Sequence, residues 1–310
     1  MNVMNMVTPP PDLAAISALQ SKLVSALRPV LPEHALLWEP EDTIPYECDG
    51  LAAYRRMPLA VALPETEEQV AQILKICFAM EIPVVPRGSG TGLSGGAMPI
   101  SQGLVLSLAK LKKILSIDPF TRTAVVQPGV RNLAISEAVS HLGLYYAPDP
   151  SSQIACSIGG NVNENSGGVH CLKYGLTLHN VLRVRGVLMN GEIVEFGSLA
   201  PDSPGLDLLA IMMGSEGMLA VVTEVTVRLV AKPKLAKVIM ASFDDIEKGG
   251  NAVAAIIAAG IIPAGLEMMD KATTRAVEEF VHAGYDLDAQ AILLCESDGT
   301  PEEVAEEIER

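Results

Sequence analysis

Two glycine-rich stretches decide how this chain is read: Pro86-Arg-Gly-Ser-Gly-Thr-Gly-Leu-Ser-Gly-Gly96 and, further along, Gly159-Gly-Asn-Val-Asn-Glu-Asn-Ser-Gly-Gly168. Glycine loses more backbone freedom on folding than any other residue, so loops this rich in it carry an entropic cost that something must offset. The usual compensation is close approach of backbone N–H groups to a bulky anion, phosphate above all. Two such loops on one chain point to one large, doubly phosphorylated ligand rather than two small ones.

Within the first loop, Gly90-Thr-Gly-Leu-Ser-Gly95 fits G-x-G-x-x-G and follows an apolar strand. A nicotinamide-dinucleotide fold also needs a helix opening at the loop and an acidic residue about 20 positions on. Pro99 interrupts any helix, the next apolar run (Leu104–Leu108) reads as strand, and no Asp or Glu occurs between Glu81 and Asp118. Consecutive backbone donors between two strands are the better reading. Arg87, the only charge in the loop, is a candidate phosphate partner or else a solvated loop arginine. Ser89, Thr91 and Ser94 add hydroxyl donors. In the second loop Asn161, Asn163 and Asn165 tolerate left-handed backbone and can read a heterocycle, or serve only the turn. Pro148-Asp-Pro-Ser-Ser-Gln153 holds Asp149 between two prolines, and Gly214-Ser-Glu-Gly217 offers further backbone donors. His170 and Cys171 invite a catalytic reading. Yet Glu164 is the one carboxylate near His170 in sequence, and His179 lies outside metal-ligand spacing. His170 is therefore read as shaping a pocket, and Cys156 and Cys171 as unreactive thiols.

The remaining sequence narrows the function classes. The chain of 310 residues is 49% hydrophobic but only 4% aromatic, with Trp38 its single tryptophan, so the core must be aliphatic. A formal net charge of −15 argues against nucleic acid and anionic membranes, which demand a basic face. Five cysteines without a C-x-x-C predict neither a disulfide framework nor a zinc site. No signal peptide is visible, and the longest apolar stretch, Ala252–Pro263, falls short of the roughly 20 residues that span a bilayer. A cytoplasmic protein is expected.

Periodicity predicts a frayed start over 1–10, a helix over Leu13–Leu27 and a wrapping segment over 28–57. An α/β pattern then begins with strand Leu59–Leu63 and a capping box at Thr66–Gln69. That box opens a helix burying Val70, Ile73, Leu74 and Cys77. A helix is expected over Leu133–Leu142, and Asn190-Gly191 marks a hairpin between Val181–Met189 and Ile193–Phe196. Lys232-Pro-Lys234 reads as a linker. Beyond it come strand Lys237–Phe243, helix Ile246–Ala259, strand Ala264–Met269, helix Lys271–His282 and strand Ala291–Glu296. The last helix is announced by Thr300-Pro-Glu-Glu303. It follows a strand and stops at Arg310, which suggests an unfinished unit with an uncovered sheet edge and a tendency to self-associate.

Taken together, the two loops, Pro148–Ser152, Lys173-Tyr-Gly175, Gly214–Gly217 and Thr223-Glu224 resemble the flavin-binding half of the vanillyl-alcohol-oxidase (PCMH) type flavoproteins. Within that group they are most similar to the FAD-linked subunits of bacterial glycolate oxidases, close to the D-lactate and D-2-hydroxyglutarate dehydrogenases. The resemblance covers roughly residues 40–310 and implies an α+β fold. Residues 1–53 would be an N-terminal helix and wrapping segment. Residues 54–232 would form two α/β subdomains of a PCMH-type FAD-binding domain, and 233–310 the first part of an α+β substrate (cap) domain.

By that resemblance Arg87, Gly88, Ser89, Gly90, Thr91, Gly92, Leu93 and Ser94 would hold the FAD pyrophosphate. Pro148, Asp149, Ser152, Gly159, Gly160, Asn161, Asn165, Gly167, Gly168, Tyr174, Gly175, Glu216, Gly217 and Val222 would hold the adenosine and one edge of the isoalloxazine. Thr91 occupies the place where some relatives attach FAD through a histidine, so the flavin is expected to be non-covalent. Full-length relatives carry H-x-G-D-G-N-x-H and E-H-G-[IV]-G stretches that bind the substrate carboxylate, take the hydroxyl proton and in some members hold a metal. This chain contains neither stretch, and no catalytic or metal-ligating residue is expected in it. The resemblance thus implies FAD-dependent oxidation of a small 2-hydroxy acid, glycolate or D-lactate, with hydride passing to flavin N5. Electrons would leave to an iron–sulfur subunit, a quinone or oxygen, and the chain alone would turn over little. A non-catalytic flavin-binding fragment and a UDP-sugar reductase of the same fold are the alternatives.

Overall fold

The computed structural model describes residues 13–200 and 205–310. The expected frayed start over 1–10 lies outside the described residues. The helix Leu13–Leu27 forms as its apolar spacing dictates, burying Leu23, Val24 and Leu27. It packs on a four-stranded sheet, order β1-β2-β4-β3, built from β1 (Leu36–Leu37), β2 (Ala60–Ala62), β3 (Val84–Arg87) and β4 (Leu104–Ser107). Parallel pairing of β2 and β3 with β4 needs a covering crossover, and the helix Glu67–Ala79 supplies it. That helix buries Val70, Ala71, Ile73, Leu74 and Cys77.

The capping box expected at its start is half formed. Thr66 Oγ1 accepts from the Gln69 N–H at 3.3 Å, but the Gln69 carbonyl takes the Glu65 N–H at 2.7 Å instead of that of Thr66. The Gln69 amide also donates to Val30 O at 3.3 Å, so this side chain ties the wrapping segment to the helix.

Next come β5 (Ile114–Asp118), β6 (Thr123–Val126), β7 (Leu144–Tyr145), β8 (Val181–Val187), β9 (Ile193–Gly197), β10 (Val221–Arg228) and β11 (Val230–Ala231). Five of them make an antiparallel sheet, order β5-β6-β10-β8-β9, while β11 pairs with β7. The β8–β9 hairpin turns at Asn190-Gly191, with Gly191 at φ +80°. The predicted Leu133–Leu142 helix is α-helical over Asn132–Val139, tightens to a 3₁₀ turn over Ser140–Leu142, and stops at left-handed Gly143. The four-stranded and five-stranded sheets each pack on an aliphatic core.

The third sheet, order β12-β14-β13, comprises β12 (Leu235–Phe243), β13 (Gly265–Asp270) and β14 (Ala291–Gly299). Its last helix, Pro301–Glu309, opens on a complete capping box between Thr300 and Glu303. On the edge strand β12, Val238 and Met240 are 56% and 50% exposed, which leaves an apolar edge open.

One sequence expectation fails in the second glycine-rich stretch. Ile158–Glu164 is helical, and only the residues from Asn165 on form a loop. Ile158 and Val162, four apart, are fully buried, so one apolar stripe suffices to fold a segment of poor helix formers. Asn165 ends the helix at φ +54°.

Candidate functional site

Three stretches distant in sequence converge on a cavity of about 330 Å³: Pro86–Ala97, Ser152–Gly167 and the turn carrying Glu216. Ser94 Oγ donates to Glu164 Oε1 at 3.2 Å, joining the two glycine-rich stretches. The backbone N–H groups of Gly214 and Glu216 donate to the carbonyls of Val162 and Asn163, both at 2.9 Å, and bring in the third stretch. Close approach explains two of the glycines. A Cβ on Gly88 would collide with Ser157 Oγ, and a Cβ on Gly159 would stand 2.5 Å from the Pro128 ring.

The cavity wall holds Arg87 and three carboxylates, Asp49, Glu164 and Glu216. Arg87, expected as a phosphate partner, lines this cavity and also ties the fold together. Its Nη1 donates to Cys48 O at 2.7 Å and Ala97 O at 3.4 Å, and the guanidinium lies 5.6 Å from the Tyr46 ring centre. Burial lowers its pKa, with Asp49 opposing. Arg87 therefore fastens the wrapping segment to the loop. Burial, then the charges of Glu164 and Asp49, push the Glu216 carboxyl up. An anion here would meet backbone N–H groups, hydroxyls and the remainder of the Arg87 guanidinium.

The donor set fits FAD. Ser157 Oγ, Asn163 Oδ1 and Asp49 Oδ2 belong to cavity-lining residues and are buried without a hydrogen-bond partner among the described residues. An unsatisfied buried polar group costs about 1–3 kcal/mol, so the cavity is built for a ligand carrying both donors and acceptors. A phosphate can accept from Ser157, and ribityl hydroxyls or a ring N–H can donate to Asn163 and Asp49. Among the described residues, no group of three His, Cys, Asp or Glu side chains is arranged to hold a metal ion.

The cavity collects Arg87, Gly88, Ser89, Gly90, Thr91, Gly92, Leu93, Ser152, Gly159, Gly160, Asn161, Gly167 and Glu216. Ser94 reaches it through its bond to Glu164. The other expected contacts lie off its wall. Val222 is fully buried in the core of the second sheet. Gly217 packs near Pro86. The Asn165 amide oxygen accepts from the Leu178 N–H, a bond internal to the fold. Pro148 O accepts from Asn132 Nδ2 at 2.8 Å. Asn161 lines the cavity, but its amide is committed to Asn132 Oδ1 at 2.8 Å, so Asn163 is the asparagine with an acceptor to spare.

Asp149, Gly168, Tyr174 and Gly175 belong to a second region, between the first two sheets and the third. Asp149 Oδ2 lies 2.6 Å from His170 Nδ1, and Glu296 Oε1 lies 3.5 Å from His170 Nε2. His170 is therefore well oriented, contrary to the sequence reading, by two carboxylates remote in the chain. Asp149 raises its pKa to about 9, against the effect of burial. Lys173 Nζ pairs with Asp298 Oδ1 at 2.6 Å, and Tyr174 OH donates to Asp298 Oδ2 at 2.7 Å. A cavity of about 540 Å³ opens beside Tyr145, Asp149, His170, Glu296 and Asp298.

Sequence reasoning missed Asp49 and Ser157. Ser157 precedes the unrecognised helix, where an apolar i, i+4 pair was the available clue. Asp49 sits in the wrapping segment, and no local pattern marks it.

Residues 58–197 match the FAD binding domain family, and residues 232–310 match the C-terminal domain of FAD linked oxidases. The chain is 60% identical over 291 residues to glycolate oxidase subunit GlcD of Escherichia coli K12, covering 94% of this chain and 58% of that protein. It is 32% identical over 295 residues to a D-lactate dehydrogenase of Anaerostipes hadrus, covering 93% and 62%. The structure of an alkyldihydroxyacetonephosphate synthase superposes with TM-score 0.80 at 19% identity, covering all of this chain and 60% of that one, which shows the fold. The chain thus spans about three-fifths of the length of these relatives. No helix among the described residues is long and apolar enough to cross a membrane. With a PCMH-type FAD-binding domain and part of the C-terminal domain that follows it, the chain belongs to the FAD-linked oxidases.

Proposed function

We propose that this chain holds FAD, without a covalent link, for the oxidation of a small 2-hydroxy acid, with glycolate or D-lactate as first choices. The observation that carries the reading is the cavity where the two glycine-rich stretches and the turn carrying Glu216 meet around Ser157, whose hydroxyl has no partner among the described residues. Bound FAD supplies the hydride acceptor, flavin N5. The loop Gly88–Ser94 and Ser157 hold the phosphates with N–H and O–H donors, while Asn163 and Asp49 accept from the sugar chain or ring. Thr91 has no nucleophilic nitrogen to offer the ring, which supports a non-covalent flavin. Glu164 and Glu216 keep the wall negative and so favour ligands that bring donors to it.

The choice of a hydroxy acid rests on the similarity to GlcD and to the D-lactate dehydrogenase. The acid–base residues are assigned to the part of the protein beyond this chain, with an iron–sulfur subunit as one electron acceptor. The test is to purify the chain and record its visible spectrum. Acid precipitation then shows whether the flavin comes free, and dye reduction is followed with glycolate, D-lactate or NADPH. Free yellow flavin with little turnover is the expected outcome. A colourless chain that takes up no FAD refutes the site, covalently retained flavin refutes the role of Thr91, and rapid turnover by the chain alone refutes the placement of the acid–base residues. Bleaching by NADPH but not by a hydroxy acid would identify a reductase of the UDP-sugar type.

A further inference from the structure

We infer that His170 is a positioning residue: its imidazole, gripped between Asp149 and Glu296, latches the third sheet to the two stretches that close the FAD cradle. The inference rests on the FAD reading of the first cavity, and it concerns residues that do not line that cavity.

Both ring nitrogens of His170 face carboxylates, Nδ1 at 2.6 Å from Asp149 Oδ2 and Nε2 at 3.5 Å from Glu296 Oε1. A neutral imidazole carries one N–H and leaves the other nitrogen as a lone pair against a carboxylate. The imidazolium donates to Asp149 and meets Glu296 as an ion pair, so this geometry favours the protonated ring. The surroundings hold that proton in place well above the ordinary histidine range, at about 9.

The latch reaches the cradle by two routes. The His170 backbone N–H donates to Asp149 Oδ1 at 3.2 Å, and Gly168, between His170 and cavity-lining Gly167, lies so close to Asp149 that a Cβ there would collide with it. On the other side, Pro148 O accepts from Asn132 Nδ2, and Asn132 Oδ1 accepts from cavity-lining Asn161 at 2.8 Å. Glu296 stands on β14, so the third sheet sets the spacing of Pro148–Ser152 and Ser166–Gly168.

The other charged and titratable groups around the ring are accounted for. Asp298, on β14, is paired with Lys173 and Tyr174. Tyr145 is pushed up to about 12 by burial. Glu303 acts on the Lys173–Asp298 pair, and Glu137 and Lys232 lie across the second cavity. The free thiol of Cys171, next in the chain, is common to parent and variants, so comparison with a His170 variant isolates the ring.

The experiment compares FAD titrations of the parent chain, His170→Asn and Glu296→Gln, stripped of flavin, at pH of about 7.5 and about 9.5, read by flavin fluorescence. For the parent, the dissociation constant is expected to rise about fivefold or more as the latch loses its proton and the competent cradle is depopulated. His170→Asn should bind weakly at both pH values with less than about a twofold change. Titration of the flavin itself is common to all three chains and cancels. The second readout needs no FAD: proton NMR of the His170 ring should give a midpoint near 9 in the parent and a lower one in Glu296→Gln. Equal pH slopes in parent and His170→Asn, or a ring titrating at its ordinary value, overturn the latch. Failure of every chain to bind FAD at either pH overturns the cradle reading instead, and the ring midpoint then still decides whether the latch exists.

Discussion

Adjacent glycines at 159 and 160 separate packing from ligand binding, because a methyl group at each meets different atoms. At Gly159 the added Cβ would lie 2.5 Å from the Pro128 ring and 3.1 Å from the Pro128 carbonyl oxygen. The ring cannot rotate away, and the Gly159 N–H is already bonded to that carbonyl at 2.9 Å. Overpacking of this kind costs about 1–3 kcal/mol. Replacing a helical glycine by alanine returns about 1 kcal/mol, so Gly159→Ala should be destabilised by about 1 kcal/mol net, and its Tm should fall by about 2–4 °C. At Gly160 the nearest atom to the new methyl is Ser157 Oγ, 3.3 Å away. The helix gain stands nearly unopposed there, and the FAD-free chain should be as stable as the parent or up to about 1 kcal/mol more so. The same methyl stands at the cavity wall beside Ser157, where crowding of about 1–3 kcal/mol weakens FAD by about 5-fold to 150-fold. Thermal unfolding of the flavin-free chains, followed by circular dichroism, and FAD titration of each give both quantities. Parent-like FAD affinity in Gly160→Ala would refute the placement of the ligand, and parent-like stability in Gly159→Ala would refute the contact with Pro128.

Ser157→Ala removes a hydroxyl that has no partner among the described residues, so flavin-free stability should change by less than about 0.5 kcal/mol while FAD affinity falls by about 1 kcal/mol, read by the same titration. Lys173→Met leaves the Asp298 carboxylate, 3% exposed, without its cation, and should cost about 3 kcal/mol in urea unfolding; an unchanged urea midpoint would count against the pair. The Glu216 carboxyl is raised above its ordinary value by burial and by Glu164 and Asp49, and a bound phosphate would raise it further. FAD should therefore bind more tightly as pH falls from neutral through that raised range, and Glu216→Gln should bind at neutral pH as the parent does in acid; identical acid-side profiles for the two would refute the coupling.

What the sequence made legible follows from the range of the interactions. The Asn190-Gly191 hairpin, the Thr300 capping box and the helix buried through Val70, Ile73, Leu74 and Cys77 are settled by neighbours a few residues apart, and all of them form. The helix at Ile158–Glu164 escaped notice because glycine and asparagine are poor helix formers, and only burial of Ile158 and Val162 against the rest of the fold decides it. His170 shows the same limit in the site. Its orienting carboxylates come from a proline-locked turn and from β14, and neither is near it in sequence. Arg87 shows a further case: its loop position suggested an anion partner, and no local pattern marked the second task it has, holding the Cys48 and Ala97 carbonyls and lying on the Tyr46 ring. A cradle walled by three carboxylates and a single arginine has to draw much of its hold on phosphate from backbone dipoles. Dipoles act only when the loops are held in register. That requirement gives the latch at His170 its physical purpose, since it fixes the spacing of the segments that present those dipoles without adding a charge to the cradle.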